Sequence, residues 1–271
     1  MQEFLTNPVV QGGIAPFVVA VIVVAILAKA KLAGLAVTVG FAIAVALVSG
    51  LGFTPLTATR KVVLLGLLAP LVGIVVDFAL KKSRTLTAVI ALCCGALTVW
   101  VFWSVLEQKA IGDALLLGGV AAVFVAWFVA ATLQLAGQPV RAGGAALMLG
   151  LGAGISAILG ASALLGLYGI AVGAGAGAFL LVQMLTGRKI VAGATLTLSA
   201  SLAAGLVAAA ALVLAQLPWY ALIVLGLIPL AASLPVSDRL PIWAQAVIVS
   251  AYGFAVAVIA FVLTWWAPPP I

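Results

Sequence analysis

The sequence predicts an all-α, polytopic integral membrane helix bundle of about ten transmembrane helices, forming a single domain over residues 1–271. Hydrophobic residues make up 67% of the chain and charged residues only 6%, whereas soluble domains carry about 25% charged residues. Apolar runs recur at about the 20-residue length that crosses a bilayer as a helix. The runs are apolar on every face, unlike the alternating strands of a membrane barrel.

Short polar, glycine-containing or proline-containing stretches separate the apolar segments. The predicted segments are Pro8–Ala28, Leu32–Leu51, Val62–Leu80, Leu86–Leu106, Ala114–Leu135, Gly143–Leu165, a seventh that ends at Leu185, Ile190–Leu214, Trp219–Leu234 and Ile242–Trp266.

Two of these segment assignments rest on short sequence features. A Gly-Leu-Tyr-Gly break at 166–169 separates the sixth segment from the seventh. The ninth segment is short and contains Pro229, a residue that interrupts helices. If either region were re-entrant, the chain would cross the membrane nine times.

The distribution of cations predicts the orientation. One set of connections holds nine cations and the other set holds three, Arg60, Lys61 and Lys109. Because cytoplasmic loops carry an excess of Lys and Arg, we expect the nine-cation side to be cytoplasmic and both termini to be non-cytoplasmic. The expected location is a bacterial inner membrane. The nine are Lys29, Lys31, Lys81, Lys82, Arg84, Arg141, Arg188, Lys189 and Arg239.

Ten spans divide into two halves of five, 8–135 and 143–266. Homologous halves with an odd number of spans lie inverted in the membrane. Arg60-Lys61-Val62-Val63 and Arg188-Lys189-Ile190-Val191 open the third and eighth segments, which are equivalent positions. This match makes an inverted repeat one hypothesis; two unrelated halves are the alternative.

The residue types argue against catalysis. The chain has no histidine and five acidic residues, four of which lie in tails or loops. We therefore expect no metal site, no cofactor and no enzymatic activity. The cations flank apolar segments, so their expected partners are lipid headgroups rather than nucleic acid.

Asp77 is the one acidic residue inside a predicted span, and intramembrane carboxylates are candidates for function. Its position four residues before Lys81 favours an interfacial salt bridge instead. If Asp77 instead carries a coupled proton or ion, Asp77→Asn would abolish activity without disturbing the fold.

The other pathway candidates are glycines and uncharged polar residues. Gly173, Gly175 and Gly177 form a small-residue pattern that predicts tight helix packing or, alternatively, a broken helix lining a substrate path. Ser199 belongs to a hydroxyl run, Thr195 to Ser201, which can bond to its own backbone. Gln183 and Gln245 are further polar points in predicted spans.

Two functions remain open from the sequence. The first is a permease or carrier for a small, weakly charged substrate. The alternative is a non-catalytic membrane subunit that anchors or scaffolds a larger complex, with other membrane proteins or copies of itself as partners. A polar cavity lined by the candidate residues would favour the first, and a solid bundle covered by a partner would favour the second.

Overall fold

A computed structural model describes residues 7–81, 83–215 and 217–267. In these ranges the chain forms an all-helical bundle, which confirms the predicted fold class of a polytopic helical membrane protein. The helices are α1 (Val10–Leu27, with a π-helical first turn), α2 (Leu35–Val48), α3 (Ala58–Phe78), α4 (Arg84–Leu106), α5 (Ile111–Leu133), α6 (Pro139–Leu159), α7 (Ala163–Thr186), α8 (Gly193–Leu214), α9 (Trp219–Leu225), α10 (Ile228–Ala232) and α11 (Ile242–Trp265).

Eight of these described helices are long and apolar enough to span a membrane. The exceptions are α2, with 14 residues, and the pair α9–α10, which is interrupted at Gly226–Leu227. Fourteen residues rise about 21 Å, less than the ~30 Å hydrocarbon core. The count of ten complete crossings therefore remains a prediction at these two places.

The break between the sixth and seventh segments lies at 160–162, so the predicted Gly-Leu-Tyr-Gly break at 166–169 is wrong. Ala161 adopts a left-handed backbone, and the Ser162 hydroxyl accepts a hydrogen bond from Leu165 N at 3.5 Å. This serine caps α7 by satisfying one of the unpaired amides at its first turn. Gly166 and Gly169 lie inside α7, where they face α6.

The interruption before Pro229 has a local cause. Proline has no amide hydrogen and cannot continue the hydrogen-bond ladder of α9. At the interruption, the Trp127 indole of α5 donates to the carbonyl oxygen of Gly226 at 2.9 Å. The tryptophan thus satisfies a carbonyl at a break in the helix.

The core of the bundle is α8, which is buried at every residue from Gly193 to Val213. It packs most extensively against α3, α6 and α5. Alanine, glycine, serine and threonine make up most of α8, and small side chains let neighbouring helices approach closely. By contrast, α1 and α11 are mostly exposed on their outer faces, as expected for helices that contact lipid.

Contacts near the helix termini define two ends of the bundle. At one end Asp77 contacts Ala194, and Arg141 contacts Ser233. At the other end Tyr168 donates to Ser49 at 2.7 Å. We call the first end the basic face, because it holds the described members of the nine-cation set; Lys82 lies outside the described residues.

Candidate functional site

Asp77 sits in the last turn of α3 and caps the first turn of the central helix α8. Its carboxylate oxygens accept hydrogen bonds from Ala194 N at 2.7 Å and from Thr195 N at 2.8 Å. The Thr195 hydroxyl also donates to Oδ2 at 2.8 Å. A carboxylate at this position satisfies orphan amides and faces the positive end of the helix dipole.

Gly193 makes room for this cap. Its φ of +64° lies in the left-handed region that favours glycine. A Cβ atom added there would collide with the Asp77 carboxylate. The glycine and the aspartate therefore form one local unit, and this cap between two helices was not predicted from the sequence. The salt bridge of Asp77 with Lys81 stays a prediction.

The hydroxyl run of α8 bonds to its own helix. The Ser199 hydroxyl donates to Thr195 O at 2.7 Å, and Ser201 donates to Thr197 O at the same distance. Thr197 donates to Gly193 O at 2.9 Å. Ser199 is only 1% exposed, and its observed bond gives no support to a role in a substrate path.

The candidate glycines of α7 pack against three different helices. A Cβ on Gly150 of α6 would collide with the backbone nitrogen of Gly173. A Cβ on Gly175 would lie 2.7 Å from Val37 Cα of α2. Gly177 has more room, since its Cβ would lie 3.4 Å from Leu147 and 3.9 Å from Phe17. Close packing thus accounts for Gly173 and Gly175.

Gln183 and Gln245 stabilise the walls of a recess at the basic face. Gln183 is fully buried, and its Oε1 accepts a hydrogen bond from Ile190 N at 3.2 Å. Its Nε2 has no partner among the described residues. Gln245 is 7% exposed and donates from Nε2 to Leu240 O at 2.8 Å and to Asp238 O at 3.5 Å.

The recess, which we call the polar cleft, has a volume of about 330 Å³. It lies between the start of α6, the start of α11 and the connection between α7 and α8. Two apolar side chains, Val140 and Val249, form part of its lining. The polar and charged side chains that line it are Gln138, Arg141, Lys189, Asp238 and Gln245.

Hydrogen bonds across the connections hold the cleft together. Arg141 donates from Nη1 to Ser233 O at 3.2 Å, which ties α6 to the chain after α10. Gly193 N donates to Ala136 O at 3.3 Å, which ties the start of α8 to the chain after α5. Ile190 directly follows Lys189, so the hydrogen bond from Ile190 N to Gln183 Oε1 holds the backbone next to Lys189 in place.

The cleft offers both donors and acceptors to a ligand. Arg141 and Lys189 donate hydrogen bonds and carry positive charge, while Asp238 carries the negative charge. The first turn of α6 also begins at the cleft, with Pro139 as its first residue. This set of groups suits a small polar solute bearing both an anionic and a cationic or neutral polar group.

The structure brings only some of the predicted site residues together. Gln245 lines the polar cleft and Gln183 supports one wall of it, whereas Asp77 and Ser199 belong to the cap and body of α8. In the sequence, Arg141 and Lys189 contribute only to the cation count, and Asp238 is one of the four acidic residues in tails or loops. The proline at 139 and the polar turn at 235–241 were the available signals.

Comparison with known proteins gives no family assignment: no protein-family model matches this chain, and a search of curated proteins finds no significant match.

Proposed function

We propose that this protein is a membrane carrier for a small solute of near-zero net charge, which it binds in the polar cleft. The observation that carries the proposal is the cleft itself, a recess of about 330 Å³ that combines two cations, a carboxylate and two amides in an otherwise apolar protein. Grouping such side chains at one recess fits the recognition of a polar solute.

The environment of the cleft supports this proposal. Its walls come from connections that join several spans, so a relative movement of those spans would change its shape. The proposal includes a bacterial inner-membrane location with the basic face toward the cytoplasm, on the basis of the cation distribution. The cleft would then be the cytoplasmic entrance of the transport path.

The test is uptake into proteoliposomes of a panel of zwitterionic, neutral polar and inorganic anionic solutes. We expect wild-type protein to accumulate a zwitterionic or neutral polar solute above empty vesicles. Asp238→Asn and Arg141→Gln should each reduce that uptake about tenfold, the equivalent of one lost charge-assisted hydrogen bond.

Arg239→Gln is the matched control, because Arg239 is exposed beside Asp238 and does not line the cleft. Its uptake should equal that of the wild type. Wild-type uptake no greater than that of empty vesicles for the whole panel would contradict the carrier. A protein that co-purifies in fixed stoichiometry would then favour the alternative, a non-catalytic membrane subunit.

A further inference from the structure

An apolar groove runs along the lipid-facing side of the bundle, separate from the polar cleft. It lies between α1 and α11, and α6 and α7 form its floor. Two adjoining recesses of about 370 and 470 Å³ make up the groove, and they share Phe17, Leu147 and Gly177. Nearly all of the surface lining these recesses is apolar.

The groove exists because α1 and α11 pack on different partners. Helix α1 packs on α2 and α7, whereas α11 packs on α6, α9 and α10. The floor between them carries small residues, among them Gly173, Ala174 and Gly177 of α7. Small side chains on the floor and two separated helices at the sides leave a channel open to the bilayer.

The length of the groove fits a lipid chain. Along α7 the groove extends from Ile170 to Met184, which corresponds to roughly 20 Å at 1.5 Å per residue. One leaflet provides about half of the ~30 Å hydrocarbon core, so the groove is long enough for the acyl chain of a lipid in one leaflet. Phe17 borders both recesses, and its ring lies 3.9 Å from the Cβ position of Gly177.

A cation lies beyond one end of the groove. Met184, in the last turn of α7, lines the groove at the basic face. Arg188 follows the end of α7, four residues after Met184, and its side chain is exposed. A cation at the membrane surface attracts anionic headgroups.

We propose that the groove binds one acyl chain of an anionic phospholipid, whose phosphate lies against Arg188 beyond the end of α7. The lipid is held as a bound ligand rather than as exchangeable solvent. Apolar burial retains the chain, and the cation distinguishes an anionic headgroup from a zwitterionic one.

Native mass spectrometry of the full chain in detergent micelles tests this proposal, with added phosphatidylglycerol and, separately, phosphatidylcholine of the same acyl chains. We expect one phosphatidylglycerol to be retained with at least about fivefold higher affinity, the effect of one cation near the headgroup. Equal retention of the two lipids would overturn the proposal.

Paired variants locate the site. Ala251 lines the groove and Ala255 does not, although both are exposed on α11 one turn apart. Ala251→Leu should reduce phosphatidylglycerol retention at least about fivefold, because the added side-chain atoms occupy space that the acyl chain would fill, and Ala255→Leu should leave it unchanged. Arg188→Gln should weaken retention of phosphatidylglycerol but not of phosphatidylcholine, whereas Arg84→Gln, at the first residue of α4 on the same face, should change neither.

Equal effects of the two alanine variants, or of the two arginine variants, would overturn the proposal. A dimer that Ala251→Leu disrupts would also overturn it, because a second copy would then occupy the groove. Ala251 and Arg188 do not line the polar cleft, so lipid retention and solute uptake can fail independently.

Discussion

Gly193 is the residue whose substitution should disturb the structure most sharply. Alanine there meets two penalties, a left-handed φ of +64° and a collision with the Asp77 carboxylate. Gly187 has nearly the same backbone, with φ +61°, but its Cβ would meet nothing within 4 Å. Alanine substitutions at Gly187 and Gly193 therefore separate the energetic cost of backbone strain from the cost of losing the helix cap.

We predict that Gly187→Ala lowers the free energy of unfolding by about 1–2 kcal/mol, the cost of a left-handed non-glycine residue. Gly193→Ala should lower it by at least ~1 kcal/mol more, because the cap on α8 is displaced as well. Loss of helical circular dichroism during denaturant titration in micelles measures both. Equal effects would show that the cap contributes little.

Asp77, which caps α8, should also contribute to the stability of the protein. Asp77→Ala leaves two buried amides of α8 without the acceptor they have in the structure. An unsatisfied buried donor costs about 1–3 kcal/mol, so we expect a loss of that order in the free energy of unfolding. The same titration measures it.

Asp113→Ala is the control for Asp77→Ala, since Asp113 is an exposed acid in the first turn of α5. Its interaction with the helix dipole is worth about 0.3–1 kcal/mol. Unchanged stability in Asp77→Ala, together with lost solute uptake, would instead support the sequence-based hypothesis that Asp77 carries a coupled proton or ion.

Among the helices, the contact between α6 and α7 depends most on glycine. Gly150 and Gly154 of α6 face Gly169 and Gly173 of α7, and a Cβ on Gly154 would lie 2.7 Å from Ile170 N. Backbone atoms cannot turn away as flexible side chains can. Any added methyl group must therefore push the two helices apart.

We predict that Gly150→Ala lowers the free energy of unfolding by about 1–3 kcal/mol, the usual cost of overpacking. Gly13→Ala is the matched control, because the Cβ of residue 13 would meet nothing within 4 Å. It should be neutral or stabilise α1 slightly, since alanine favours helix over glycine. A similar loss for both variants would contradict close packing as the role of Gly150.

For the whole molecule, the topology is the testable property. Even with α2 and the α9–α10 pair shorter than a standard span, the fold alternates between the basic face and the opposite face. Both ends of the described chain then lie opposite the basic face. The distribution of cations in the sequence predicts this alternation and, in addition, a cytoplasmic location for the basic face.

Single cysteines introduced into a Cys93→Ser, Cys94→Ser background test this topology. Asn7→Cys and Ala267→Cys should react with a membrane-impermeant maleimide added outside intact cells, and Ser237→Cys should react only after the membrane is permeabilised. Asn7 and Ser237 are both exposed. Reaction of only one terminus from outside would indicate nine crossings.

The sequence predicted the helix class and most helix positions because apolar length and flanking charge are local properties. The start of α11 at Ile242 and the end of α4 at Leu106 match the predicted bounds. The sequence misplaces the break between α6 and α7, because glycine disfavours helix by intrinsic propensity but is tolerated where helices pack closely. Gly166 and Gly169 are instead helical residues that contact α6 closely.

The candidate site was only partly predictable. Gln183 and Gln245 were recognised as polar side chains in apolar segments, and the structure places both at or beside the polar cleft. Arg141 lies in the first turn of α6, whereas Lys189 and Asp238 lie in two separate connections. Their convergence depends on how the helices pack, which single-segment patterns do not encode.

The sequence by itself determined that this chain lies in a membrane as an all-α bundle with one strongly basic face. Those properties follow from the transfer of each residue from water to lipid and from the charges that flank each span. Tertiary structure alone decided that α8 is the buried centre and that Asp77 caps it. The physical reason is that lipid and protein interior are equally apolar, so hydropathy cannot distinguish a helix facing lipid from one surrounded by other helices.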